Sequence, residues 1–379
     1  MLGSTSPSST SKDGDLTSEE DSWSMTEGTD RDPSPTPSMA SMTPSLYSYK
    51  SSVDGRTMLR DMEGRTLQAT SDGYMLPADD VEHGRLDLQH NLLKLKIGGL
   101  YFKPEAVRRA LAPKQDITPT VLDIGTGSGS WAIDMGRLFP HVEITGLDLA
   151  PANLTSTPPP NCHFECDDAN LGLSHYQNAF NLVHCRLLGL GIKDYRSLLN
   201  DIAGMLRPGG VYLSIEVDLR VCDGNCDPIF AEKEEEKGFT WLQKTMSAAH
   251  AAFKERAPGG CDAGHDIPKW LKSMDCWEET GEKKMYIPVG AWDEGMNKKQ
   301  RTMADMMLED TRGLVQALRP LLISHGFFEE TVNRMLSNTD DELAHVRKKQ
   351  HWRFLCAWGI KKGDPSGTSD GGHPPGWAL

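Results

Sequence analysis

One stretch constrains this chain more than any other: Thr120-Val121-Leu122-Asp123-Ile124-Gly125-Thr126-Gly127-Ser128-Gly129-Ser130-Trp131. Thr120 to Ile124, β-branched and apolar behind Pro119, reads as a buried strand. Three glycines at alternate positions open a turn. Ser130 to Leu138 then continues with the helical spacing of Trp131, Met135 and Leu138. Strand, glycine turn and helix together bring backbone N–H groups and a helix N-terminus to one ligand. A Cβ in the turn would block close approach and disfavour positive φ.

The dinucleotide fingerprint is G-x-G-x-x-G. Here the third glycine arrives one residue early, and Asp123 stands two positions before the first. Asp-x-Gly-x-Gly-x-Gly resembles motif I of the class I S-adenosylmethionine (SAM) dependent methyltransferases. Asp123, Gly125, Thr126, Gly127 and Gly129 are therefore candidate cofactor residues. On the glycines alone, an NAD or FAD site and a purely structural turn stay open. His141 to Leu149 reads as a second strand that carries Asp148 at its end. An acidic residue about 20 positions after the glycine turn sits where a ribose diol can be bound, with Leu149 beside it. A solvated strand end is the bland alternative.

Asn161 to Cys166 reads as a third strand ending in Asp167-Asp168-Ala169. An acidic side chain there can accept from an adenine amino group while the next backbone amide meets a ring nitrogen. Asp168 with Ala169 is the favoured pair, and a helix N-cap is the competing use of either aspartate. Ala179 to Cys185 reads as a fourth strand. It places His184, Cys185 and Arg186 at the carboxyl edge, where open α/β sheets bind ligands. Arg186 is suited to a bidentate grip on a methionine carboxylate. Tyr195 to Leu206 reads as an amphipathic helix, Arg207 to Gly210 as a turn, and Val211 to Val217 as a strand carrying Glu216. His90, His184 and Glu216 are the candidate bases, histidine because its charge changes near neutral pH. His184 as a packed interior histidine is the alternative.

Upstream, Asp79 or Asp80 can cap a helix on which Asp87 and His90 share a face. Its functional reading is a cover over the cofactor cleft that offers Asp87 or His90 to the substrate. Tyr101 or Phe102 could close over a sulfonium, although core packing competes. Residues 223–280 break the strand–helix alternation. They hold the acidic run Glu232 to Glu236, read as a solvated helix face, and a helix with Phe239, Trp241, Leu242, Met246 and Phe253. Such an insert is a natural substrate lid. Lys283 to Val289 and His351 to Ile360 read as the last strands, with helices near 298–320 and 327–348 between them.

The organisation expected is a Ser/Thr/Pro-rich acidic tail (1–45), a helical cover (46–115), a SAM-binding core (116–222), the insert (223–280), C-terminal helices and last strands (281–362) and a flexible tail (363–379). Order is expected to begin near Tyr47. Ser6-Pro7, Ser34-Pro35, Thr36-Pro37 and Thr43-Pro44 are candidate phosphorylation sites. A formal net charge of −14 argues against non-specific binding to nucleic acid phosphates. No apolar run approaches a membrane span. The eight cysteines fit reduced thiols, and Cys162/Cys166 and Cys222/Cys226 lack the second paired cluster of a zinc ribbon, so no metal is expected.

Alternating strands and helices from 120 to 217 imply a doubly wound parallel α/β sheet. With the late strands this resembles the seven-stranded, Rossmann-like class I methyltransferase fold. A closer resemblance rests on Asp80-x-Glu82-x-x-Arg85-Leu86-Asp87-x-Gln89-His90, Asp123-Ile124-Gly125-Thr126-Gly127, Pro159-Pro160-Asn161-Cys162-x-Phe164-Glu165-x-Asp167-Asp168-Ala169 and Leu206-Arg207-Pro208-Gly209-Gly210. These are similar to the fungal LaeA-like methyltransferases over about residues 70–360. Two positions depart: the family's usual Phe-Asp is Phe180-Asn181 here, and its His-Ala-Arg is His184-Cys185-Arg186. The resemblance implies SAM as cofactor and methylation of a small molecule in fungal secondary metabolism. The alternative it leaves is a regulator of secondary metabolism acting through protein partners, with SAM binding but little classical turnover. A cytoplasmic or nuclear location, without direct contact to nucleic acid or membrane, completes the expectation.

Overall fold

The structure, a computed structural model, describes residues 58–363 except 116, 153 and 155. The expected N-terminal tail with its Ser-Pro and Thr-Pro sites, Tyr47, and the tail beyond residue 363 lie outside the described residues. A hairpin comes first, β1 (Leu59–Met62) and β2 (Arg65–Gln68), turned at Glu63 and Gly64 with positive φ at both. Arg65 grips Asp79 with two hydrogen bonds of 2.6 and 2.8 Å. Asp79 in turn caps α1 (Asp80–Ile97) by accepting from the Glu82 N–H at 3.0 Å. Gly98, at φ +82°, ends that helix. The buried face of α1 is largely polar, with Glu82, His83, Arg85, Gln89 and His90 beside Leu92 and Leu93. Long charged side chains are rarely enclosed unless paired, and here Arg85 pairs with Glu82 and with Asp310.

After α2 (Pro104–Ala110) the alternation begins: β3 (Thr120–Ile124), α3 (Ser130–Leu138), β4 (Glu143–Asp148), β5 (Cys162–Cys166), β6 (Phe180–Arg186), α4 (Tyr195–Met205) and β7 (Leu206–Asp223). Then come α5 (Trp241–Arg256), α6 (Ala263–Lys272), β8 (Trp277–Pro288), α7 (Lys298–Ala317), α8 (Arg319–Ser324), α9 (Glu329–Ala344) and β9 (Gln350–Lys361). The seven-stranded sheet runs β5-β4-β3-β6-β7-β9-β8. Its strands are parallel except β9, which is antiparallel to both β7 and β8. This is the class I methyltransferase arrangement. Alternate residues of β3 face opposite layers: Val121 packs with Trp131, Met135 and Val107, and Leu122 and Ile124 with Leu198, Leu199 and Ile267.

Three local expectations are corrected. Arg207 to Gly210 is not a free turn, because β7 already begins at Leu206 and absorbs Gly209 (φ +75°) as a register break opposite Phe180 and Leu182. Glu232 to Glu236 form bends and turns rather than a helix face, and Lys233 to Glu236 are exposed. The helices of the insert are core rather than lid. Leu242, Met246 and Phe253 share one apolar cluster with Leu92 and Leu93 of α1 and with Val315, Leu321 and Met335. The Trp241 N–H also donates to Glu342 at 2.8 Å, which fixes the start of α5 on α9.

Candidate functional site

At the end of β3 the chain folds back on β4, where the Gly125 and Thr126 N–H groups donate to the Leu147 carbonyl at 2.8 and 3.0 Å. Gly125 and Gly129 sit at φ +72° and +75°. A Cβ on Gly125 would stand 2.7 Å from Leu188 Cδ1, and one on Gly129 2.7 Å from Leu154 Cδ2 and 2.9 Å from Phe164 Cε1. Both the backbone angle and the space therefore require glycine. Asp148 accepts from the Gly127 N–H at 2.8 Å and from the Ala150 N–H at 3.3 Å, which locks the second strand end to the glycine turn. Burial pushes its pKa up against those two donors.

A cavity opens above the carboxyl ends of β3 to β6. Of the expected cofactor residues, Gly125, Thr126, Gly127, Asp148, Leu149, Asp167, Asp168, Ala169 and Arg186 line it. Asp168 also caps the single turn at Ala169–Leu171, with the Asn170 N–H donating to it at 2.9 Å, so the cap and the cavity use the same residue. Asp167 accepts from the Asp168 N–H at 2.8 Å. Arg186 donates to His90 Nδ1 at 3.2 Å. No carboxylate among the described residues forms an ion pair with it. Arg186 lines the cavity, and burial lowers its pKa against the opposing pull of the Asp123 and Asp310 charges.

The structure takes several expected residues away from the cavity. His184 lies beneath it, 2% exposed, its Nδ1 2.7 Å from Asp123 and its ring stacked on Trp131 at 3.8 Å between centroids. Burial lowers its pKa, so it is a neutral interior histidine. Asp123 spends its second oxygen on the Thr126 hydroxyl at 2.8 Å and supports the turn from below. Cys185 and Gly129 are likewise absent from the cavity lining, Cys185 because it points into the sheet core. Glu216 is buried under the loop after β6, where it accepts from the Gly189 N–H and the Tyr195 hydroxyl, both at 3.1 Å. Burial raises its pKa to about 7.

His90 is also committed elsewhere. Arginine can only donate, so Nδ1 carries no proton, and Nε2–H donates to Asp134 at 3.1 Å. Burial, with Arg186 beside it, lowers its pKa to about 4. Both ring nitrogens are occupied, and His90 holds Arg186 rather than facing a substrate. Asp87 accepts from the Ser130 hydroxyl on α3. Tyr101 packs on Phe139 and Phe102 on Trp358, away from the cavity. Asn181 lies at the opposite end of β6, accepting from Thr120 N–H and Arg207. No residue of 223–280 lines the cavity.

The cover helix was expected over the cleft, but the residues of the remaining wall were not named as lining it. That wall comprises Tyr74, Leu76, Arg85, Leu86 and Gln89 from the N-terminal cover, Leu190 and Ile192 after β6, Val217 and Leu219 on β7, and Leu314 on α7. Arg85 and Gln89 belong to the N-terminal motif and could have been found there. The others carry only generic apolar chemistry.

A family profile described as a methyltransferase domain matches residues 100–285. The secondary metabolism regulator laeA of Coprinopsis cinerea is 32% identical over 285 residues, 75% of this chain and 69% of that protein. The chain belongs to the LaeA-like methyltransferase family. Among other similar proteins, N-methyltransferase sirN of Leptosphaeria maculans is 29% identical over 79% of this chain and 98% of its own. Methyltransferase str2 of Strobilurus tenacellus is 26% identical over 75% and 92%. As a LaeA-like protein the chain is a SAM-dependent methyltransferase. Its cavity offers what that cofactor needs: a glycine cradle that a Cβ would fill, acidic groups at two strand ends, and a half-buried arginine in no ion pair among the described residues. No helix among the described residues is long and apolar enough to cross a membrane.

Proposed function

We propose that this chain transfers a methyl group to a small metabolite, and that the lined cavity is the site of transfer. The observation that carries the reading is Arg186, half-buried, lining the cavity and lacking an ion-pair partner among the described residues. In this reading Arg186 takes the methionine carboxylate, oriented by His90 and Asp134. Asp148 takes the ribose hydroxyls with the lone pairs that Gly127 and Ala150 leave free, and Asp168 with the Ala169 amide meets the adenine edge. Bound there, the cofactor supplies an electrophilic methyl group on a sulfonium. The chain's own work is alignment and exclusion of water by Leu76, Leu86, Leu190 and Leu314. His90, His184 and Glu216 lie off the cavity lining, so no base is assigned to them. The net charge of −14 supports a small acceptor over nucleic acid.

Titration calorimetry tests the cofactor assignment. The native protein is expected to bind SAM and S-adenosylhomocysteine, with Arg186→Ala and Asp148→Ala each weakening binding about tenfold or more. Folded native protein that binds neither compound would end the reading. A second reading, a regulator working through protein partners, is favoured by the name of the Coprinopsis relative. Radiolabelled methyl recovered in a small-molecule extract supports the first reading. Label recovered only in protein, or no transfer despite tight cofactor binding, supports the second.

A further inference from the structure

The cover wall of the cavity contains polar chemistry that cofactor binding leaves unused. Arg85 donates to both oxygens of Glu82, at 3.0 and 2.5 Å, and to Asp310 of α7 at 2.7 Å. Gln89 donates its amide nitrogen to the two oxygens of the same Asp310, at 3.3 and 3.2 Å. All four side chains are buried, with Gln89 6% exposed. An ionised carboxylate only accepts, so Asp310 dictates which end of the Gln89 amide faces it. The amide oxygen is thereby fixed on the other side, where no donor among the described residues meets it, while Gln89 lines the cavity. That oxygen is reachable from the cavity, so a donor presented there can bond to it.

Position tells what supplies it. His90, the next residue, bonds Arg186, so Gln89 stands at the Arg186 end of the cavity. Beside Arg85 and Arg186, the lining contributed by the cover, β7 and α7 includes the apolar side chains Leu76, Leu86, Val217, Leu219 and Leu314. Glu82 and Asp310 outnumber the one Arg85, so this wall is formally negative and disfavours an anionic acceptor.

We propose that Gln89, set by Asp310, docks the methyl acceptor, and that the acceptor is an uncharged, mainly apolar small molecule presenting one hydroxyl or N–H to the Gln89 amide oxygen. This rests on the cofactor reading above and adds the substrate class. Gln89 is a binding and specificity residue, and Asp310 a positioning residue that acts through it.

The test uses the full chain and three probes of equal body: 4-propylphenol, its methyl ether 4-propylanisole, and 4-propylbenzoate. Affinities are read by ligand-observed NMR and calorimetry with S-adenosylhomocysteine saturating. The phenol is expected to bind about tenfold or more tightly than the ether or the benzoate. Gln89→Met, which keeps the length and removes the acceptor, is expected to bring the phenol down to the level of the ether. Asp310→Asn, which frees the amide to turn, is expected to reduce the preference. A cooperative thermal unfolding transition shows that Gln89→Met folds. Equal binding of phenol and ether by the native protein, no binding of any probe, or a preference that survives Gln89→Met would overturn the proposal. Failure of S-adenosylhomocysteine to bind would instead strike the cofactor reading, and the phenol–ether comparison repeated without it still judges Gln89.

Discussion

Gly125 shows how a single position couples backbone conformation to ligand approach. Its φ of +72° and the Leu188 methyl 2.7 Å from a would-be Cβ both reject a side chain. Gly125→Ala is expected to lose about 1–2 kcal/mol for the left-handed backbone, more if Leu188 cannot shift. Urea unfolding reads that loss, and cofactor titration should show weakened binding in the same variant. This residue was legible in the sequence because a backbone requirement selects a residue type. His90 and His184 were not legible in the same way. Their chemistry is decided by Asp134, Arg186, Asp123 and Trp131, which stand far away in the chain or on another element. A histidine near a strand end reads as a base until its two nitrogens are seen to be occupied.

At the scale of elements, the N-terminal motif clasps α1 to α7. The motif itself was visible on α1, but Asp310 lies 225 positions from Arg85, and no local pattern announces that pairing. Periodicity was of little help, since the buried face of α1 is polar where a packing helix would be apolar. The charges make an asymmetric prediction. Arg85→Ala leaves two enclosed carboxylates without their cation and should cost about 3–5 kcal/mol. Asp310→Asn keeps the Arg85–Glu82 pair and should cost about 1–2 kcal/mol. Thermal or urea unfolding of the two variants side by side checks the order, and equal losses would contradict it. The insert taught a related lesson. Its break in the strand–helix rhythm marked an addition to the sheet, but whether an addition caps the cavity or fills the core depends on partners such as Glu342 and Met335.

At the scale of the whole molecule, buried Glu216 links folding to pH. Its pKa rises from 4.5 to about 7 because burial disfavours the charged form. The native chain then binds this proton more tightly than the unfolded chain. The resulting stability is fully present below about pH 4.5 and is lost as pH rises through 7. At about 1.4 kcal/mol per unit, the change amounts to roughly 3 kcal/mol. Glu216→Gln should therefore gain on the native protein in thermal midpoint as pH goes from 4.5 to 7.5. A difference independent of pH would refute the burial argument. The sheet order was largely legible, because alternating strands and helices leave few topologies. The extent of β7 and the reversal of β9 were not, since both are fixed by pairing rather than by local sequence.

That reversal has a consequence for how the protein is made. Among the described residues β8 pairs only with β9, and β9 also closes the flank of β7. As the chain leaves the ribosome, the parallel strands can assemble while β8 still lacks its partner, because residues 350–361 are the last strand made. Until then the nascent molecule carries two open strand edges, the kind of surface on which chains stick to one another and chaperones act. A stop codon or cleavage shortly before residue 350 would leave the glycine turn and the strands that frame the cavity in sequence, yet yield a product marked for aggregation or degradation.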